Sequence, residues 1–394
     1  MSDLIVLCPG ALLAAPAAPA AASALPAESL PGVLRGATLA DRTDDDALVP
    51  RELPYEAWLR QELSIGGPAV IEAASAHHDG LADAAQWLRA TPVHLHVGLD
   101  SLVLTDPSML HLQADDAAAL AAALAPVLGD AGFELQVADP LRWYLRAISR
   151  TPDWQARSWR MSVGRSIDVY SPQGPDARLW RKLVNEVQMS WFEHPVNRRR
   201  EADGLPPVNS LWLDGPVPAG GQSRFSNVVT DDAALAGLAA MIGARTASLA
   251  DAPDLIAGAS GHPAATPSRV PRIDAAASPE AAASPDPAAS PHPAGSPDAP
   301  SRSASVGGGH TLLVSDAWQE SERDPAPAAF ADAWRRFGEQ LARLGADRTP
   351  PVGFEQMRIV LSGERRWIEL RASRGDRWRF WRRNDPSGWW EPQR

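Results

Sequence analysis

The stretch NEVQMSWFEHPVNRRREADGLPPVNSLWLDG occupies residues 185 to 215 and contains the most distinctive pattern in the chain. It begins inside a predicted helix over residues 176 to 194. Four apolar residues recur there at helical spacing: Leu179, Leu183, Val187 and Trp191. Pro195 cannot continue that helix, so we expect an arginine-rich turn next. After Pro206 and Pro207, the residues VNSLWL at 208 to 213 predict a strand.

Outward from this stretch, predicted strands alternate with predicted helices. Strands are predicted at residues 4–8, 95–104 (a pair around a turn), 133–137, 310–316 and within 357–381. Helices are predicted at residues 114–132, 231–244 and 329–345. Alternation of this kind is typical of an α/β fold with a largely parallel sheet.

Alanine, proline and serine dominate residues 252 to 309, where Ser-Pro recurs at a regular interval. A segment so poor in large apolar residues cannot offset its ordering entropy, so we expect a disordered linker. Its Ser-Pro steps are either modification sites or a repeat expansion. The strand and helix after it are too small for a separate domain. We therefore expect residues 1–251 to form the main part of one domain and residues 310–394 to complete it, with a loop at residues 12–31.

Composition narrows the function classes. The net charge is −11 at pH 7, which argues against attraction of the whole chain to nucleic acid or to an anionic membrane. Cys8 is the sole cysteine, so no intrachain disulfide can form and a cytoplasmic location is expected. The N-terminus lacks the basic start of an export signal. Apolar runs long enough to span a membrane are absent, so no membrane partner is expected.

Residues 185–215 closely resemble the pattern of RpfE-type regulatory proteins of bacteria. The stretches at 99–120, 140–145 and 227–239 also resemble segments of those proteins and occur in the same order along the chain. The HPVN motif at 194–197 and the strand that follows also resemble archaeal-type cofactor-independent phosphoglycerate mutases, which belong to the alkaline phosphatase superfamily. This resemblance implies a three-layer α/β fold with a mostly parallel sheet and an inserted subdomain that carries HPVN.

The resemblance does not extend to the mutase metal site. Such mutases use two divalent metals held by aspartates and histidines, beginning with an aspartate directly after the first strand. Here that strand ends in Cys8, Pro9 and Gly10, and residues 312–327 contain no histidine, which leaves Asp316 as a lone candidate. A metal site needs its full ligand set. The expected protein is therefore a pseudoenzyme without metal or other cofactor, and a divalent metal is expected only if the chain is an active mutase.

Seven residues on the family pattern are the predicted ligand-binding residues: Asn185, Gln188, His194, Asn197, Arg200, Asn209 and Trp212. They suit a small phosphorylated ligand or a protein partner. Buried amides can equally satisfy backbone groups near the prolines, which lack a donor. Arg198, Arg199 and Arg200 form either an anion cradle or a solvated charge run. Asp214 departs from the family pattern, in which tryptophan or glycine is usual.

Three function hypotheses follow. The first is a non-catalytic regulatory or binding protein, the second an active metal-dependent mutase or phosphatase. The third is nucleic-acid binding through the tail, where tryptophans and arginines alternate over residues 365–390. An amphipathic sheet edge explains that tail as well, so nucleic acid is not the expected partner. His94 and His96 are a weak metal candidate because no third ligand has matching spacing.

Overall fold

A computed structural model describes residues 2–12, 30–45, 47, 49–65, 71–98, 101–216, 221–258, 309–319, 327–378 and 389. In these ranges the strands are β1 Asp3–Cys8, β2 Thr38–Asp44, β3 Trp87–Val93, β4 Leu95–Val97, β5 Leu102–Leu104, β6 Phe133–Asp139, β7 Arg142–Ala147, β8 Ser210–Pro216, β9 Phe225–Val229, β10 Arg245–Ala247, β11 His310–Val314, β12 Gln356–Ser362 and β13 Arg366–Ser373.

The α-helices of the same ranges are α1 Gly32–Gly36, α2 Pro54–Glu62, α3 Ser75–His78, α4 Ala114–Asp130, α5 Trp159–Ser162, α6 Ile167–Tyr170, α7 Ala177–Trp191, α8 Pro195–Ala202, α9 Ala233–Met241, α10 Ala252–Gly258 and α11 Pro327–Arg343. Short 3-10 helices cover Ile71–Ala74, Ala84–Gln86, Pro107–Leu110 and Arg374–Trp378. Of the described helices, none is long and apolar enough to cross a membrane.

The large sheet has seven strands in the order β10-β9-β11-β1-β12-β13-β2. The strands from β10 to β12 run parallel, and β13 and β2 add an antiparallel edge. The prediction of a mixed α/β fold with a largely parallel sheet is confirmed. Strand β11 follows the predicted linker and lies between β9 and β1, so segments on both sides of the linker share one sheet.

Alternate residues of β1 pack on opposite faces of the large sheet, as the two-residue period of a strand requires. Leu4, Val6 and Cys8 join a core with the aromatic residues of α11. Ile5 and Leu7 join a second core. Apolar residues of α2 and α9 cover that second face: Tyr55, Trp58, Leu59, Leu235, Leu238 and Ala239. Burial on both faces explains why the segment reads LIVLC without polar interruption.

The second sheet has four antiparallel strands in the order β6-β7-β3-β8. Its strands come from residues 87–216, between β2 and β9 of the large sheet. Apolar side chains of α4 and α7 cover one face, where Trp143 meets Trp191 edge to face with ring centroids 5.8 Å apart. The helical spacing read from Leu183, Val187 and Trp191 therefore marks a true core face.

Two expectations require correction. The arginine-rich segment is helix α8 instead of a turn, because Pro195 takes the first helical position, where its missing N–H costs no hydrogen bond. The expected linker start at 252 is also wrong, because Ala252 begins α10 and is buried together with Ile256. The rest of the expected linker, 259–308, and most of the expected loop at 12–31 lie outside the described residues.

Candidate functional site

Asn197 connects the end of α7 to the start of β8. Its side-chain Nδ2 donates to Trp191 O at 2.9 Å and to Val208 O at 2.8 Å, and its Oδ1 accepts from Val208 N at 2.8 Å. The side chain is buried. These contacts use both ends of the amide to satisfy backbone groups, which is the structural role that the prolines of this segment suggest.

Arg200 is buried on α8 and faces the protein interior. Its Nε donates to Pro206 O at 3.0 Å, and a terminal nitrogen donates to Leu110 O at 2.5 Å. Desolvation lowers the pKa of this guanidinium. Arg199 instead pairs with Asp116, and Arg198 lies 3.4 Å from Glu193 at the surface. The three consecutive arginines therefore have three separate sets of partners and do not converge on one anion.

Asn209 and Trp212 hold strand β8 to its neighbours. Asn209 exchanges two hydrogen bonds with the backbone of Leu95, each 2.8 Å long. The indole Nε1 of Trp212 donates to Arg157 O at 2.9 Å, and its ring meets Trp180 edge to face. His94 Nδ1 lies 2.8 Å from Pro207 O in the same region. Internal contacts thus account for the polar atoms of this part of the predicted site.

His194 caps the N-terminus of α8. Its Nδ1 accepts from Val196 N at 3.3 Å, which requires that nitrogen to be unprotonated. Burial lowers the pKa of His194, in agreement with this acceptor role. Asn185 is exposed and Gln188 half-buried on α7, and the side chain of neither forms a hydrogen bond with a described residue. Among the seven predicted residues, these two amides remain free for an outside partner.

The structure also brings together charged residues that sequence reasoning missed. Arg160 on α5 donates from Nε to Glu72 Oε1 and from a terminal nitrogen to Asp232 Oδ2, each at 2.5 Å. Asp232 also caps α9, since its Oδ1 accepts from Ala234 N at 2.9 Å. This ion-pair triad joins α5 of the inserted part to two elements that pack on the large sheet.

Two buried carboxyl groups lie near this triad without an ion-pair partner among the described residues. Glu56 Oε2 accepts from Leu53 N at 2.8 Å, but its Oε1 has no hydrogen bond. Asp214 on β8 is 0% exposed, and both of its oxygens lack a partner. Burial raises the pKa of Glu56 to about 8 and that of Asp214 well above its ordinary value. Burial thus disfavours the ionised form of both groups, and Glu56 is mainly protonated at neutral pH.

Arg89 lies on the neighbouring strand β3, and its charge opposes the rise in the pKa of Asp214, but it forms no ion pair with that carboxyl group. Its donors bind Ser75 Oγ at 2.9 Å, Leu141 O at 2.8 Å and Thr91 Oγ1 at 3.2 Å. Tyr144 Oη also donates to Ser75 Oγ, at 2.9 Å. The sequence indicated Asp214, because this residue departs from the family pattern. No sequence pattern indicated the triad of Arg160, Glu72 and Asp232, because its members come from distant segments.

The carboxyl ends of the parallel strands hold few metal donors. Cys8 ends β1 and is fully buried, and burial raises the pKa of its thiol. After β11, Ser315 Oγ donates to Gln340 Oε1 at 2.7 Å, and Asp316 is exposed. After β9, Asp231 accepts from the backbone of Leu249. No three His, Cys, Asp or Glu side chains of the described residues are placed to hold a metal ion. This donor set does not fit a pair of divalent cations.

The described part of the tail contains strand β13, which pairs with β12 on one side and with β2 on the other, so it is not the sheet edge that the amphipathic interpretation expected. Trp367 is buried in the core of the large sheet, while Arg371 pairs with Glu369 at 2.8 Å and Arg366 with Asp44. Trp367 is buried and Arg371 exposed, as the amphipathic interpretation expects, but Arg366 is buried and ion-paired instead of lying in water. The remaining tail, 379–388 and 390–394, lies outside the described residues, so nucleic-acid binding there stays a prediction.

The comparisons with known proteins identify mutase relatives. No family model matches the chain. A stretch of 66 residues is 38% identical to a 2,3-bisphosphoglycerate-independent phosphoglycerate mutase of Methanothrix thermoacetophila and covers 17% of each chain. A stretch of 167 residues is 30% identical to a probable enzyme of the same name from Geobacter sulfurreducens and covers 40% of each chain. The chain is therefore homologous in part to these mutases and matches at most 40% of the length of either.

A solved structure shares the fold. The PH0037 protein of Pyrococcus horikoshii matches with a TM-score of 0.50 at 10% sequence identity, over 94% of this chain and 87% of that one. At this level of sequence identity the match shows a similar fold and says nothing about the chemistry of either protein.

Proposed function

We propose that this chain is a non-catalytic binding protein of the RpfE-type regulatory kind on a phosphoglycerate mutase-like scaffold. One observation carries the proposal: the first parallel strand ends in a buried thiol followed by Pro9 and Gly10, at the point where a mutase has its first metal-binding aspartate. Partial homology to the mutases supports the scaffold.

The nearby carboxyl groups do not replace that aspartate. Glu72 and Asp232 are bound to Arg160, which already neutralises much of their charge. Glu56 and Asp214 are buried, and burial raises the pKa of both, which disfavours the ionised form that a metal ion would need. A divalent cation needs ionised oxygen or imidazole ligands, and phosphoryl transfer in these mutases depends on such cations. The described residues therefore favour binding over phosphoryl transfer.

An activity assay with a metal titration tests the proposal. The purified full chain is incubated with 3-phosphoglycerate and Mn²⁺ or Mg²⁺, beside an active cofactor-independent mutase as a positive control. We expect no 2-phosphoglycerate above the level of a boiled sample, and no rise in melting temperature on adding either metal. Turnover that a chelator abolishes and Mn²⁺ restores would show that the chain is an active mutase.

A further inference from the structure

The outward side of α7 combines positive charge with exposed apolar side chains. A helix repeats every 3.6 residues, so one stripe along its solvent side contains Arg178, Arg181, Lys182, Asn185, Met189 and Phe192. All six are exposed. We call this set the α7 stripe. Its basic residues lie near the start of the helix and its apolar residues near the end.

The apolar end of the α7 stripe takes no part in the core. Met189 is 76% exposed and Phe192 is 83% exposed, while Val187 and Trp191 on the opposite side are buried against the second sheet. Single exposed apolar residues are ordinary, but two large ones a helical turn apart form a continuous patch. The exposure of such a patch to water is unfavourable, and another apolar surface that covers the patch removes this cost.

The basic end of the α7 stripe is unneutralised by the described residues. Arg178, Arg181 and Lys182 form no ion pair with any of them, and the stripe itself contains no acid. The chain as a whole carries a net charge of −11, so this local excess of positive charge runs against its composition. A complementary surface has to be acidic.

We propose that the α7 stripe docks an acidic amphipathic helix of a partner protein. Carboxylates of that helix meet Arg178, Arg181 and Lys182, and its apolar side chains cover Met189 and Phe192. Asn185 lies between the two ends and offers a donor and an acceptor. This inference deepens the proposed function, on which it rests, by naming the kind of partner that such a binding protein recognises.

A second copy of the chain is a poorer occupant than an acidic partner. Two α7 stripes packed in parallel place basic residues against basic residues. Two stripes packed antiparallel place the basic end of one against the apolar end of the other, and neither contributes an acid. Like charges across an interface are unfavourable, so charge complementarity favours a different chain.

A peptide-binding experiment tests the proposal. The probe is a fluorescent amphipathic helical peptide with glutamates at one end of its apolar stripe, and the control peptide has the same residues in scrambled order. Fluorescence anisotropy measures the dissociation constant. We expect the probe, but not the scrambled peptide, to bind the full chain. The double variant Met189→Ser/Phe192→Ser should weaken binding by at least roughly tenfold, as loss of interface anchors does.

Charge reversal separates specific docking from simple apolar attraction. Arg178→Glu/Arg181→Glu should weaken binding of the acidic peptide and permit binding of a matched peptide with lysine in place of glutamate. Lys182 is the sole lysine of the chain, so a carbodiimide should join the acidic peptide to this residue. Lys182→Arg keeps the charge and should keep the affinity but lose that cross-link.

Several results would overturn the docking proposal: equal affinity for the acidic and scrambled peptides, unchanged affinity in both double variants, or attraction to anionic vesicles in place of the peptide. Self-association of the wild type that the Met189→Ser/Phe192→Ser variant abolishes would assign the stripe to a second copy. Mutase turnover contradicts the proposed function but leaves these binding results unaffected, so the two failures are distinguishable.

Discussion

Asn209 binds Leu95 through both ends of its side-chain amide: Nδ2 donates to Leu95 O and Oδ1 accepts from Leu95 N, each at 2.8 Å. The side chain thereby takes the place of a neighbouring strand. It joins the entry of β8 to the β4–β5 hairpin, whose own pairing extends over three residues of each strand.

We expect Asn209→Ala to destabilise the protein by about 2 kcal/mol, because it leaves both backbone groups of Leu95 without their partner. Urea denaturation followed by tryptophan fluorescence measures the change. Asn185→Ala is the matched control, since the Asn185 side chain is exposed and forms no hydrogen bond with a described residue. Equal midpoints for the two variants would show that the amide contacts contribute nothing.

We expect Arg160→Ala to cost about 3 kcal/mol at pH 8, because the substitution leaves the buried Glu72 carboxylate without its countercharge. Glu72→Gln should be milder, and the double variant should be less destabilised than the sum of the single ones. A double-mutant cycle in urea measures this coupling. Additive effects would contradict an ion pair between the two groups.

The pH dependence of stability should fall when Glu56 is replaced by glutamine. The pKa of Glu56 is raised from 4.5 to about 8 in the folded chain, so the folded state keeps a proton that the unfolded state releases between those pH values. Stability therefore decreases as pH rises through that window, by up to about 1.4 kcal/mol for each pH unit.

Glutamine keeps the acceptor for Leu53 N and cannot ionise. Glu56→Gln should therefore equal the wild type near pH 4 and exceed it in stability at pH 8 to 9. Urea midpoints across this pH range provide the measurement, and Asp316→Asn at an exposed acid is the control. Parallel curves for Glu56→Gln and the wild type would mean that Glu56 ionises normally.

Substitutions of Arg200 distinguish a structural role of this residue from a role in anion binding. We expect Arg200→Ala to lower stability by about 3 kcal/mol, because Pro206 O and Leu110 O both lose a charged donor. Arg200→Lys should also be destabilising, since an ammonium group lacks the fork that reaches both carbonyls. Thermal shifts with 3-phosphoglycerate should be the same in both variants and the wild type. A shift confined to the wild type would restore the anion-binding interpretation.

Local patterns predicted much of the fold. The apolar run at residues 4–8, the helical spacing of Leu183, Val187 and Trp191, and the paired strands at 95–104 all correspond to observed elements. Pro195 misled the prediction because a proline ends one helix and begins the next with equal ease. The exposed side of α7 follows from the same spacing, but only the neighbouring elements decide that Met189 and Phe192 remain uncovered.

The sequence by itself determined the alternation of strands and helices, the buried central strand and the absence of an aspartate after it, because those properties depend on residues adjacent in the chain. Only the tertiary structure decided which polar groups meet. Arg160 reaches Glu72 across 88 positions and Asp232 across 72, and the pKa of Asp214 is raised because the packed elements around it exclude water. Proximity and desolvation are properties of the folded chain, and a one-dimensional pattern contains neither.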